Sequence, residues 1–370
     1  MPDTAKTIGI LTAGGDCQGL NAAIRGVAKT AMKKYGMEMI GFHDGFQGLV
    51  ENRYERLTDQ RLSGILTIGG TILGTSRDKP HKMQIGDNTV NMISKAAENY
   101  QSLHLDALVC IGGGGTQKNA LRLIRSSDMK VITLPKTIDN DVFGTEVCFG
   151  FDTAVQIATE AIDRLHSTAY SHHRVMVVEI MGHNTGWLTA ASGLAGGADV
   201  VLIPEIPYQI DSVVKALIER NRTGKRFSIV AVAEGALSVE EHNLKGKWNK
   251  EKKLRKKDAE VIPEPVWEDT GIKLTQQLTQ ATGLEIRFTS LGHVMRGGTP
   301  SSYDRILATQ LGSEAVEAVV RKQFGVMIAM CAEHPTAIPL SEVAGKRRVI
   351  PSDHPILQSL RQLNICLGDR

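Results

Sequence analysis

Nine residues, Thr133-Leu-Pro-Lys-Thr-Ile-Asp-Asn-Asp141, hold the densest chemistry in this chain. Two carboxylates, Asp139 and Asp141, stand two residues apart, with Lys136 and Thr137 beside them. Packing explains that combination poorly. One carboxylate can take the proton of an attacking hydroxyl while the other holds a divalent cation, and the lysine neutralises anionic oxygens. That division of labour suits phosphoryl transfer. An Asx-turn, in which Asp and Asn only cap the next segment, is the alternative at this point.

The elements that must position these groups read as alternating strands and helices. Lys130–Leu134 is apolar and β-branched, as a buried parallel strand should be. Pro135 ends its ladder, so the polar residues leave the carboxyl end of the strand, where open α/β sheets bind ligands. Thr7–Thr12 reads as a first strand, followed by Ala13-Gly-Gly-Asp-Cys-Gln-Gly19 and a helix from about Asn21 with Ala22, Ile24, Val27, Ala28 and Ala31 on one face. A glycine-rich turn entering a helix lets backbone N–H groups approach phosphate, although a tight βα turn is the plainer reading. It is neither a Walker A loop nor a GxGxxG fingerprint. Gly69-Gly-Thr-Ile-Leu-Gly-Thr-Ser-Arg77 ends on an arginine, either a planar clamp for a transferring phosphoryl group or a solvated loop residue. Strand Leu105–Ile111 empties into Gly112-Gly-Gly-Gly-Thr116, with a helix expected from about Gln117. Four successive glycines cost backbone entropy and contribute no packing, so close approach of a phosphate chain competes there with a flexible turn.

A second βα series follows. Phe151-Asp-Thr153 opens a long helix with Val155, Ala158, Ile162 and Leu165 on one stripe. Strand Val175–Ile180 leads to the loop Met181-Gly-His-Asn-Thr-Gly186, and a helix runs to about Leu194. Strand Val200–Ile203, helix Asp211–Arg222 and strand Phe227–Ala233, ending on Glu234, come next. Residues 238–269 break the pattern: Lys245–Lys257 has eight Lys/Arg in thirteen positions, read as a solvated, partly helical surface insertion, with a basic patch for an anionic partner as the alternative. Helix Gly271–Thr282 and strand Leu284–Phe288 lead to Leu291-Gly-His-Val-Met-Arg-Gly-Gly298, where His293 and Arg296 flank a turn suited to an anion. A helix at about 303–322, a strand 326–330 and a helix near 355–363 complete the chain. The expected architecture is α/β, with two doubly wound domains.

Composition bounds the function. At 370 residues two domains are expected, and 42% apolar content with 37 glycines fits α/β units with many tight turns. A net charge of +3 is too small for a nucleic-acid footprint. Five cysteines without a CxxC pair read as reduced thiols of a cytoplasmic protein, and no apolar run reaches membrane-spanning length.

The order of these motifs resembles the 6-phosphofructokinase family over roughly residues 7–330. Gly14-Gly15-Asp16 with Gly19-Leu-Asn-Ala-Ala-Ile24, the glycines of 112–116, Pro135-Lys-Thr-Ile-Asp-Asn-Asp141, Met181-Gly182, Glu234 and Gly292-His293 with Arg296-Gly-Gly298 all stand in family order. The resemblance implies phosphoryl transfer from ATP to the C1 hydroxyl of fructose 6-phosphate, with pyrophosphate as the alternative donor and a non-catalytic sugar-phosphate-binding homologue as a further alternative. It implies two Rossmann-like three-layer domains with the active site in the cleft between them. Residues 1–150 with about 296–333 would bind the donor, and 151–295 with about 334–370 the sugar. Asp139 would be the general base, with Thr137 and Lys136 beside it, and Asp141 would hold Mg²⁺. Arg77 would steady the transferred group, Gly14 and Gly15 would donate backbone N–H groups, and Gly113, Gly114, Gly115 and Thr116 would line the donor. Met181, Gly182, His183 and Glu234 would contact the sugar, and His293 and Arg296 its 6-phosphate. Arg174 and Arg287 would reach in from a neighbouring subunit, so a homo-oligomer, dimer or tetramer, with a shared active site is implied, and neither nucleic acid nor membrane is a partner.

Three positions depart from the family pattern. Gly114 replaces a customary acid that assists Mg²⁺, and His183 stands where arginine is common. Gly115 resembles ATP users, because pyrophosphate users tend to place an acid there, whereas Lys136 resembles pyrophosphate users. We expect ATP.

Overall fold

The computed structural model describes residues 7–254 and 269–370. The chain forms two doubly wound α/β units, one of residues 7–154 with 296–348 and one of 155–295 with 349–370. Among the described residues no helix is long and apolar enough to cross a membrane.

The first unit is built on a seven-stranded sheet. Its order is His334–Pro339, Val326–Cys331, Val131–Pro135, Ala107–Gly112, Thr7–Ala13, Glu38–Phe42, Tyr54–Arg56. The five inner strands run parallel, and the two edge strands are antiparallel. The inner strands are almost wholly buried, which is why their sequences read as continuous apolar runs rather than alternating ones. Thr7–Ala13 sends the chain to Glu38–Phe42 on one side, and the chain later returns to Ala107–Gly112 on the other. The order therefore reverses between Thr7–Ala13 and Ala107–Gly112. A doubly wound sheet opens a crevice beyond the carboxyl ends of such strands.

The second unit has a parallel four-stranded sheet in the order Ile286–Ser290, Val175–Ile180, Ser228–Ala233, Val200–Leu202. Its reversal falls between Val175–Ile180 and Ile286–Ser290. A separate apolar core packs against this sheet, including Val177, Val230, Val232, Leu274 and Leu278.

Several expectations shift. The third glycine-rich segment is not a loop up to Gln117: the helix there is Gly114–Ser126, so Gly114 and Gly115 are its first two residues. Residues 334–348 belong to the first unit, not the second, because His334–Pro339 pairs along the edge of Val326–Cys331. The short strands Tyr54–Arg56, Met83–Ile85 and Asn88–Val90 carried too few alternating residues to be legible. In the 238–269 insertion, Val239–Leu254 is a helix opened by a capping box, with Ser238 and Glu241 each accepting the other's backbone N–H (2.9 and 3.2 Å). Trp248 is buried, so that stretch is a surface helix held by one aromatic anchor. The rest of the basic run and Pro263 and Pro265 lie outside the described residues.

One buried carboxylate organises the start of helix Phe151–His172. Asp304 is fully buried and accepts the Gly150 N–H (2.9 Å), the Thr153 N–H (2.9 Å) and the Thr153 hydroxyl (2.5 Å). Burial pushes its carboxyl above the ordinary range, opposed by the Thr153 and Gly150 hydrogen bonds. Asp304→Ala strips three donors of their acceptor, so urea unfolding should show a loss of about 2–4 kcal/mol. Wild-type stability in that variant would show that water replaces the cap without cost.

Candidate active site

The two strands at the reversal of the first sheet end in register, Ala13 beside Gly112. Gly112 is required by the fold itself, since a Cβ there would run into the Thr116 side chain and the Ala13 carbonyl. Gly114 and Gly115 are different. A Cβ on either would meet no protein atom within 4 Å. Alanine is the better helix former by about 1 kcal/mol. The protein's own packing thus gives no reason for bare backbone at this helix opening, while an approaching ligand does. The unpaired N–H groups and dipole of a first turn favour an anion there. Thr116 is buried and its N–H closes on Gly113 O (2.9 Å), which tightens the entry.

Beside it, the loop after Thr7–Ala13 is clipped to the segment that carries Arg77. Gly14 N–H donates to Ser76 O (2.8 Å), and the Thr75 hydroxyl donates to Gly14 O (2.7 Å). The expectation that Gly14 donates to a ligand is therefore corrected: its N–H is already engaged, and that role narrows to Gly15. Arg77 follows directly and is exposed. Arg296 lies against the same loop, its Nη1 donating to Asp16 O (3.0 Å). A Cβ on Gly15 would stand 2.6 Å from that Nη1, so glycine is what lets the guanidinium settle on the loop.

Lys136 reaches the same place from the Val131–Pro135 strand. It is 3% exposed, and its Nζ donates to Gly15 O. Burial pulls its ammonium below the ordinary lysine range, with Arg296 acting in the same direction and Cys17, Asp16 and Asp139 opposing. Two cations, Lys136 and Arg296, thus converge on Gly15-Asp16 and bond carbonyl oxygens there. Positive charge held mainly by neutral carbonyls is an unfilled electrostatic demand that an anion meets.

The loop after Lys136 assigns Asn140 a structural part in the turn. The turn is built by neighbours: Thr137 Oγ1 accepts the Asp139 N–H (3.1 Å), and Asn140, left-handed at φ 52°, accepts the Cys148 N–H through Oδ1 (2.9 Å). Asp139 is half-buried and close enough to Lys136 to act on its charge. Asp141 is also half-buried, and burial pushes its carboxyl up while Arg347, Nε to Oδ2 at 3.5 Å, pulls it back. Arg347 was not legible from the sequence, because its neighbour is about two hundred residues away.

In the second unit the expected sugar residues divide into two groups. Met181, Gly182 and His183 leave the carboxyl end of Val175–Ile180, and Glu234 leaves the adjacent Ser228–Ala233, its N–H on Ile180 O (2.9 Å). His293 follows the end of Ile286–Ser290, with Leu291 N–H on Glu179 O (3.0 Å). These five sit at one edge of the sheet, around its reversal. Arg174 and Arg287 stand at the opposite, amino edge. Both bind Glu285, at 2.7 and 2.5 Å, and hold its carboxyl below the usual range, Arg174 most strongly. The six residues of Val175–Ile180 separate Arg174 from Met181, roughly 20 Å at about 3.3 Å per residue, and Arg287 stands level with Met176 near the same amino end. The unit does not bring them together.

Residues 7–319 match the family profile described as Phosphofructokinase. The chain is 50% identical over 372 residues to the ATP-dependent 6-phosphofructokinase of Propionibacterium freudenreichii, covering 98% of this chain and 99% of that protein. It is 51% identical over 368 residues to the ATP-dependent 6-phosphofructokinase of Spirochaeta thermophila, covering 98% of each. Pichia pastoris phosphofructokinase in the T-state superposes with a TM-score of 0.78 at 32% identity over 92% of this chain. This chain spans 36% of that longer one. Pyrophosphate-dependent phosphofructokinase from Marinobacter aquaeolei superposes equally well, TM-score 0.78 over 98% of this chain and 92% of that one, at 21% identity. At that identity the likeness shows the fold alone. With the profile match spanning most of its length and half its residues identical to those relatives, the chain belongs to the phosphofructokinase family.

Proposed function

We propose that this protein is an ATP-dependent 6-phosphofructokinase that moves the γ-phosphoryl group of ATP to the C1 hydroxyl of fructose 6-phosphate. The observation that carries this reading is the helix opening at Gly114-Gly115. Its bare backbone serves no packing purpose, and it stands beside a loop on which Lys136 and Arg296 converge. A side-chain-free Gly115 leaves room for the inner phosphate of a nucleotide, and near relatives bearing the name ATP-dependent support that donor.

Phosphoryl transfer asks mainly for positioning and charge neutralisation. Gly15, Gly113, Gly114, Gly115 and Thr116 line the donor phosphates in this reading, and Lys136 and Arg77 neutralise the transferred group. Asp139, steadied by Thr137, accepts the proton of the C1 hydroxyl. Met181, Gly182, His183 and Glu234 hold the sugar and His293 its 6-phosphate, while Arg296, settled on the Gly15-Asp16 loop, acts on the donor side rather than beside His293. Asp141 fits Mg²⁺ as a half-buried carboxylate whose ion pair with Arg347 is long, 3.5 Å. One carboxylate plus donor phosphates and water is how Mg²⁺ is commonly held beside a polyphosphate. Held by Asp141, the ion would supply charge neutralisation at the donor phosphates. Arg174 and Arg287, at the far edge of their sheet, serve a neighbouring copy's sugar phosphate, which makes the protein a homo-oligomer. It acts in the cytoplasm, in glycolysis.

A coupled assay offering each donor separately tests the donor: turnover is expected with Mg·ATP and not with pyrophosphate alone. Turnover on pyrophosphate alone overturns the choice. Binding of fructose 6-phosphate with neither donor turned over would make the chain a non-catalytic sensor.

A further inference from the structure

Three consecutive cations, Lys346-Arg347-Arg348, clasp the loop that carries Asp141. Arg348 N–H donates to Asp141 O (3.0 Å), and its Nη1 donates to Asn140 O (3.3 Å). Arg347 bridges Val142 through the backbone, and Lys346 Nζ stands 5.1 Å over the Phe143 ring. Among the described residues, Arg347 is the one cation paired with the carboxylate itself, Nε to Oδ2 at 3.5 Å, with the arginine side chain 49% and the aspartate side chain 21% exposed. The segment is thus fixed through its backbone, while the guanidinium of Arg347 is held by one long, solvent-screened contact.

From this we propose that Arg347 is the resident counter-ion of Asp141 and sets how readily that carboxylate takes up a divalent cation. This rests on the reading of Asp141 as the Mg²⁺ carboxylate. A guanidinium stays charged at every working pH, so its competition with a metal ion is constant. A half-exposed pair is weak, so the cation can displace it. The backbone contacts of Arg347 and Arg348 do not depend on that ion pair, so the clasp persists when the side chain swings away. Displacement therefore costs only the pair. Arg347 acts here as a positioning residue that tunes metal occupancy, not as a group touching the reacting atoms.

The test uses the full chain without any phosphoryl donor. Mn²⁺ is titrated at high protein concentration and read by electron paramagnetic resonance in wild type, Arg347→Met, Arg347→Lys and Asp141→Asn. The Asp141-dependent dissociation constant is expected to fall about two- to fivefold in Arg347→Met, the range of a released surface ion pair. It should return towards wild type in Arg347→Lys, which restores the charge. Thermal melts confirm folding, and Arg347→Gln replaces Arg347→Met should the latter fail to fold. Unchanged or weaker Mn²⁺ binding in Arg347→Met, with both proteins exceeding Asp141→Asn, overturns the inference and leaves the metal reading standing. If no protein exceeds Asp141→Asn, the metal reading itself fails and this inference goes with it.

Discussion

Asp139→Ala should lower kcat by about 10²–10⁴-fold, the range for a lost general base, while the KM for fructose 6-phosphate moves far less. The turn around it does not rest on the carboxylate alone, because Thr137 receives the Asp139 N–H and Asn140 receives the Cys148 N–H. Asp139→Asn keeps the shape and removes only the basic oxygen, so it should fall nearly as far. Steady-state rates at saturating donor separate the two parameters. A loss confined to KM would reassign Asp139 to sugar binding. The half-buried setting of the side chain and its electrostatic coupling to Lys136 are what make the larger effect on turnover the expected one.

Gly115→Asp should exchange one donor for the other. The new side chain meets open space in the first turn of Gly114–Ser126, where a carboxylate is favourable to the helix by about 0.3–1 kcal/mol. Folding should therefore be unharmed, and Gly115→Ala controls for that. A carboxylate about 4 Å from an inner phosphate costs up to about 4 kcal/mol at an effective dielectric constant near 20. We expect kcat/KM for ATP to drop about 10–10³-fold and pyrophosphate to become usable. Undiminished ATP turnover would show that the nucleotide's inner phosphate does not pass Gly115.

Much of the site was legible because its chemistry is local. Asp139, Asp141, Lys136 and Thr137 lie within six residues, and a buried strand ending at Pro135 has one place to deliver them. Burial on both faces wrote the inner strands as continuous apolar runs, so Thr7–Ala13, Ala107–Gly112 and Val175–Ile180 were expected within a residue or two. The clustered glycines marked the loops proposed to meet phosphate, although the sequence could not say which glycine serves packing, as Gly112 does, and which stands free, as Gly114 and Gly115 do.

What the amino-acid order determined by itself was therefore the element types, the family and the loop proposed to do the chemistry, since each depends on residues a few positions apart. Tertiary structure alone decided that Gly14 gives its N–H to Ser76, that Arg296 settles on Gly15-Asp16, that Asp304 caps a helix some 150 residues earlier, and that Arg347 faces Asp141. It also decided that Arg174 meets Glu285 at the far edge of their sheet. Such contacts join residues distant along the chain, and only the packing of strands and helices sets their distances. No local periodicity or propensity encodes them.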